Sequence, residues 1–163
     1  MTGTSIRGWT LMNDKNIFNS SVELTLRVLQ VLSHFSDLNI DQIAIIDFKA
    51  TYGKYFGNSE YNLHGDNEFG LQEYGLRRQK ISNTIKKGVL QGIITYREFV
   101  KKGFLYSLSI DGKSVVNNFP KEDLYFKEYN TALKNIKIPS IHEIKNFQDM
   151  LSQKMWGGVN DEQ

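Results

Sequence analysis

His64, Asp66 and Glu68 bring an imidazole and two carboxylates into one short stretch, the side-chain types from which a metal-dependent hydrolase builds a ligand set and an acid-base pair. No partner at metal-ligand spacing accompanies them, and His34 and His142 stand at unrelated distances along the chain, so a polar loop accounts for the cluster better than a metal site. Gly112-Lys113-Ser114 looks like the end of a phosphate-binding loop, whose backbone amides and lysine surround nucleotide phosphates. That loop needs a glycine at position 107, where Ser107 stands inside a strand-patterned run, so an ordinary turn after a strand is the better reading. Neither a Gly-x-Ser-x-Gly elbow nor a Gly-x-Gly-x-x-Gly turn occurs. The chain has no cysteine, which excludes a disulfide framework, thiolate metal sites and cysteine nucleophiles. The residues support no enzyme, no cofactor and no bound metal.

Positive charge is the chemistry that remains. Between Arg77 and Lys102 eight cations (Arg77, Arg78, Lys80, Lys86, Lys87, Arg97, Lys101 and Lys102) stand against one anion, Glu98, a local charge of +7 in a chain whose formal net charge is +2. Positive charge is thus concentrated on one segment while the rest of the chain is net acidic. Such a segment suits nucleic-acid phosphate or an acidic protein surface, and a solvated cationic face is the plain alternative. Gln79 and Asn83 are the few amides here that could read base edges, which favours backbone binding over sequence-specific recognition.

The elements that must position this charge read as α+β, mainly α: a winged helix-turn-helix with a two-stranded wing and additional C-terminal helices. Ser20 and Glu23 have capping-box spacing, and Val22, Leu26, Leu29, Leu32 and Phe35 then lay an apolar stripe along a helix to about residue 36. Asn39 or Asp41 caps a second helix carrying Ile43, Ile46 and Ala50. Residues 53–70, rich in glycine and asparagine, read as a long exposed loop, either a functional insertion or a place that hides a short element. Tyr74, Ile81, Ile85 and Val89 follow a helical period from about 71 to 90, with Gly92 as terminator. Residues 94–100 and 104–110 are strand-patterned around a Lys101-Lys102-Gly103 turn, and Asp111 and Gly112 turn the chain into a short helix. Tyr125, Tyr129, Leu133 and Ile136 mark a further helix ended by Pro139, and Ser140 and Glu143 cap a last one running to about Trp156. The expected organisation is an N-terminal arm (1–16), a winged-helix domain (17–119), a C-terminal helical extension (120–156) and a flexible tail (157–163). Most aromatic residues of the extension are expected in the core, with Trp156 exposed or docked on a partner. No run is long and apolar enough to span a membrane, and the first ten residues lack the core of a signal peptide, so a cytoplasmic location is expected.

Short stretches along residues 17–110 also resemble a known family. They are Ile17-Phe18-Asn19-Ser20-Ser21-Val22-Glu23, Leu38-Asn39-Ile40-Asp41-Gln42-Ile43 with Asp47-Phe48, Asn62-Leu63-His64-Gly65-Asp66-Asn67, and Glu73-Tyr74-Gly75-Leu76-Arg77-Arg78. In order and spacing they are similar to the middle component of bacterial ABC three-component conflict systems. Gly65 departs from the proline of that family's Leu-His-Pro pattern. The resemblance implies a winged-helix, non-catalytic adaptor encoded beside an SMC- or Rad50-like ABC ATPase and a nuclease-like effector, an arrangement that includes Lamassu-type antiphage defence. It would couple a DNA-sensing ATPase to its effector, with double-stranded DNA as a further partner. The alternative is an autonomous winged-helix DNA-binding transcriptional regulator.

Overall fold

The first helix, α1 (Ser21–His34), starts where Ser20 accepts a hydrogen bond from the Glu23 amide at 3.2 Å. The spacing predicts a reciprocal capping box, but the Glu23 carboxylate turns inward to Arg27 and Tyr125, so only half of that box forms. The computed structural model describes residues 20–65, 73–119 and 123–157, with side chains through 153. The N-terminal arm, Asp66, Glu68, residues 158–163 of the expected tail and the Trp156 side chain therefore lie outside the described residues, while Gly157, expected in that tail, ends the last helix.

Between the first two helices, the Leu38 backbone exchanges two hydrogen bonds with Tyr106, at 3.1 and 2.8 Å. Asp37 precedes it with φ of 58°, a left-handed conformation that aspartate tolerates, and its amide donates to the Ser107 hydroxyl. Asn39 and Gln42 then form a complete capping box at the start of α2 (Ile40–Thr51). Every residue from Ile43 to Phe48 is buried, because α2 runs through the interior with α1 and the later helices packed around it. The loop after α2 does hide a short element, a one-turn 3-10 helix at Gly53–Phe56, held by the Asn62 side chain accepting from the Lys54 amide.

Helix α3 (Tyr74–Leu90) presents Tyr74, Arg77, Ile81, Ile85 and Gly88 to the interior at three- and four-residue steps. Gly92, at φ of 78°, ends it. Strands β1 (Ile94–Phe99) and β2 (Gly103–Leu108) pair antiparallel, with Tyr96 opposite Tyr106 and Glu98 opposite Phe104. Ile94 and Leu108 anchor one sheet face in the core near the start of the hairpin, and the same face opens to solvent toward the turn. Asp111 and Gly112 do not turn the chain ahead of the next helix. They lie in the first turn of α4 (Ile110–Asn117), which begins at Ser109, whose hydroxyl accepts from the Gly112 amide. A Cβ at Gly112 would stand 2.1 Å from the Ile93 carbonyl oxygen, so this close backbone approach, not phosphate binding, accounts for the glycine.

Asp123 caps α5 (Leu124–Lys134), and a reciprocal Ser140–Glu143 box caps α6 (Ile141–Gly157). Tyr129, Leu133 and Ile136, with Ile144, Phe147 and Leu151, join the same core as α1 to α3. The Phe147 ring lies 5.1 Å from that of Tyr74 and 6.0 Å from that of Phe48. The C-terminal helices are thus built into the core. Among the described residues the architecture is α+β and mainly helical, with six α-helices and a two-stranded antiparallel sheet.

Candidate functional site

Two polar constellations stand out, one inside the molecule and one on its surface. Inside, four helices and the loop after α2 send polar side chains to one point. Arg27 of α1 is fully buried; its Nε donates to Asp47 Oδ1 at 2.8 Å, its Nη2 to Oδ2 at 3.3 Å, and its Nη1 to Glu23 Oε1. Asp47 of α2 also accepts from the Tyr129 hydroxyl of α5 at 2.7 Å, with Arg77 Nη1 of α3 at 3.5 Å. Arg77 donates to the Thr51 hydroxyl and to Glu73, and its guanidinium lies over the Phe48 and Tyr52 rings at 5.2 and 5.3 Å. His64 Nδ1 stands 3.0 Å from Arg77 Nη2, and its Nε2 2.9 Å from the Tyr125 hydroxyl, which itself donates to Glu23. An arginine can only donate, so Nδ1 accepts from Arg77, while Nε2 faces both the Tyr125 hydroxyl and, at 3.4 Å, Arg27 Nη1.

The electrostatics follow from burial and from the balance of two guanidiniums against Glu23, Asp47 and the edge residue Glu73. Burial raises the Glu23 carboxyl above its ordinary value, with Arg27 and Tyr125 pulling the other way. The same burial acts on Asp47, but Arg27 and Arg77 outweigh it and hold that carboxyl below the usual range. For His64 burial and the two arginines act together, driving its pKa far down and keeping it neutral. Burial pushes the Tyr125 and Tyr129 hydroxyls up, and Tyr52 up to about 12. Among the described residues Glu23 Oε2 and Arg77 Nε have no hydrogen-bond partner. The arrangement ties α1, α2, α3 and α5 together, its two guanidiniums paired internally with Glu23, Asp47 and Glu73.

These positions correct two expectations. Arg77 is 2% exposed and faces the network, so it belongs to the interior and is unavailable to an outside acidic surface. His64, expected as part of an exposed polar loop, turns inward to the same network, while its neighbours in that cluster, Asp66 and Glu68, lie outside the described residues. Sequence reasoning missed Arg27, Asp47, Tyr125 and Tyr129 as a set. The available signal was a charged residue on each of two otherwise apolar faces: Arg27 four residues after Glu23, and Asp47 directly after the run Ile43-Ala44-Ile45-Ile46.

The remaining predicted cations lie on the surface. Arg78 pairs with Asp41, and Arg97, at the hairpin, pairs with Asp37. Lys80, Lys86, Lys87, Lys101 and Lys102 are exposed, and none of them makes an ion pair among the described residues. Lys86, Val89 and Leu90 of α3 with Tyr96, Phe104 and Tyr106 of the hairpin line a groove of about 420 Å³. The strand register produces it by placing Tyr96, Phe104 and Tyr106 on one face, with Tyr96 in ring contact with both partners. Leu90 is 87% exposed and Val100, in the hairpin turn, is fully exposed.

Fold and surface together define a mainly helical α+β protein with an open, mostly apolar groove lined in part by Lys86 and with further exposed lysines on the same helix and hairpin. The chain belongs to the ABC-three component (ABC-3C) system Middle Component 2 family, whose model matches residues 17–156. It is thus a middle component of a multi-component ABC system, as the resemblance of residues 17–110 implies. No curated protein and no solved structure matches the chain. No described helix is long and apolar enough to cross a membrane.

Proposed function

We propose that this chain is a non-catalytic accessory subunit that docks an SMC- or Rad50-like ABC ATPase to an effector, as in Lamassu-type antiphage defence. The observation that carries this reading is the family match across 17–156, since a middle component works through protein partners. The surface lysines beside exposed apolar side chains support it, because such a mixture suits protein contact. The segment from α1 to β2 is read as a winged helix-turn-helix. Support comes from three helices followed by a hairpin, and from the Leu38–Tyr106 bridge, which adds a third strand position beside β2.

Co-expression with the products of the neighbouring genes, followed by purification on a tag carried by this chain, tests the proposal. An ABC ATPase recovered in stoichiometric amount is the expected result, and a chain that runs only as a free monomer beside those products counts against it. A second reading, contact with double-stranded DNA, rests on the exposure of Lys80 on α3 and of Lys101 and Lys102 at the hairpin turn. It requires duplex affinity that falls steeply with salt, with a slope that flattens in Lys101→Ala/Lys102→Ala.

A further inference from the structure

We propose that the groove between the second half of α3 and the hairpin receives a segment of a partner protein that carries large apolar side chains flanked by Asp or Glu. The inference rests on the accessory-subunit reading and specifies the surface and the chemistry of its partner. Two features of the groove select this occupant. Its lining is Val89, Leu90, Tyr96, Phe104 and Tyr106 beside Lys86, mostly apolar surface whose burial is favourable against other apolar atoms. Its surroundings are cationic: Lys86 is in the lining, Lys87 precedes Leu90 by three residues on α3, and Lys101 and Lys102 stand in the turn from which Phe104 emerges. Glu98, opposite Phe104, is the opposing charge on that strand face.

Phosphate would satisfy the lysines and leave the apolar lining wet, so duplex DNA is the poorer occupant. A second copy of this chain placed symmetrically would set the same lysines against each other. Residues 1–16 carry Arg7 and Lys15 against Asp14, so this chain's own arm does not supply the complementary charge. An acidic segment with apolar anchors meets both requirements, the anchors filling the groove and the carboxylates reaching its lysines.

The test uses the full chain with a photo-reactive amino acid at Leu90, co-expressed with the products of the neighbouring genes, and identifies cross-linked peptides by mass spectrometry. The expected adduct is a net-acidic partner segment containing large apolar residues. In parallel, Lys86→Glu/Lys87→Glu and Leu90→Ser, all at exposed positions, should each keep the wild-type melting midpoint and weaken the complex by about tenfold or more. An adduct confined to this chain's own peptides, an adduct to DNA, or undiminished affinity in both variants overturns the proposal. If the wild-type chain forms no complex, the accessory-subunit reading falls with it; if a complex forms and both variants bind normally, only the groove assignment falls.

Discussion

Replacing Arg27 by methionine removes the charge at the centre of the buried network while keeping most of the side chain's apolar stem. Asp47 loses the donors at 2.8 and 3.3 Å and keeps Tyr129 and Arg77; Glu23 loses the Arg27 guanidinium and keeps Tyr125. Two buried carboxylates then face a single cation, since His64 is neutral. Breaking a buried pair from one side costs about 3–5 kcal/mol, because the abandoned charge remains out of water. At about 2–4 °C per kcal/mol for a chain of this size, the melting midpoint should fall by about 6–20 °C. The assay is thermal and urea denaturation, both followed by circular dichroism, on Arg27→Met, Asp47→Asn and the double variant. The double variant should recover part of the loss, with a coupling of about 0.5–3 kcal/mol, because neutralising Asp47 removes one of the stranded charges. A loss below ~1 kcal/mol for Arg27→Met, or strict additivity in the cycle, would refute the claim that the network locks these helices together.

Other perturbations test the neighbouring parts of the account. His64 has its folded pKa depressed, so the unfolded chain takes up the proton first; its contribution is intact above the ordinary value of 6.5 and is lost as pH falls below it. Wild-type stability should therefore decline toward pH 5.5 by up to ~1.4 kcal/mol per pH unit more than that of His64→Gln, and parallel curves would contradict the buried neutral imidazole. Phe147→Ala should cost ~3–5 kcal/mol in denaturant, a loss too large for a helix merely appended to the surface. Gly112→Ala should destabilise by ~1–3 kcal/mol despite alanine's better helix propensity, since its Cβ meets the Ile93 carbonyl; an unchanged urea midpoint would mean that α4 can move away.

Local elements were legible in the sequence where one or two residues determine them. Ser20, Asn39 and Ser140 each start a helix at the cap that residue type favours, and the alternation of Phe104, Tyr106 and Leu108 set the hairpin face that now lines the groove. What could not be read were partners distant in sequence. Arg77 sits on α3 between Tyr74 and Ile81, at the spacing of the buried stripe, yet its charge and its place in a basic run pointed outward. Its burial depends on Asp47, Thr51 and His64, none of which a helical period can supply. His64 likewise read as part of a polar loop, because nothing near it in sequence announces Tyr125 or Arg77. For Gly112 the reason lies in a single backbone oxygen on the segment before β1, a contact with no compositional trace.

Hydrogen-deuterium exchange on the full chain, with and without the co-expressed ABC component, tests most directly the claim that this is an accessory subunit working through its cationic, apolar-lined face. Slower exchange confined to the second half of α3 and the β1–β2 hairpin, residues 86–106, is the predicted result. A complex that forms with those amides unchanged, or with protection only elsewhere, would contradict it.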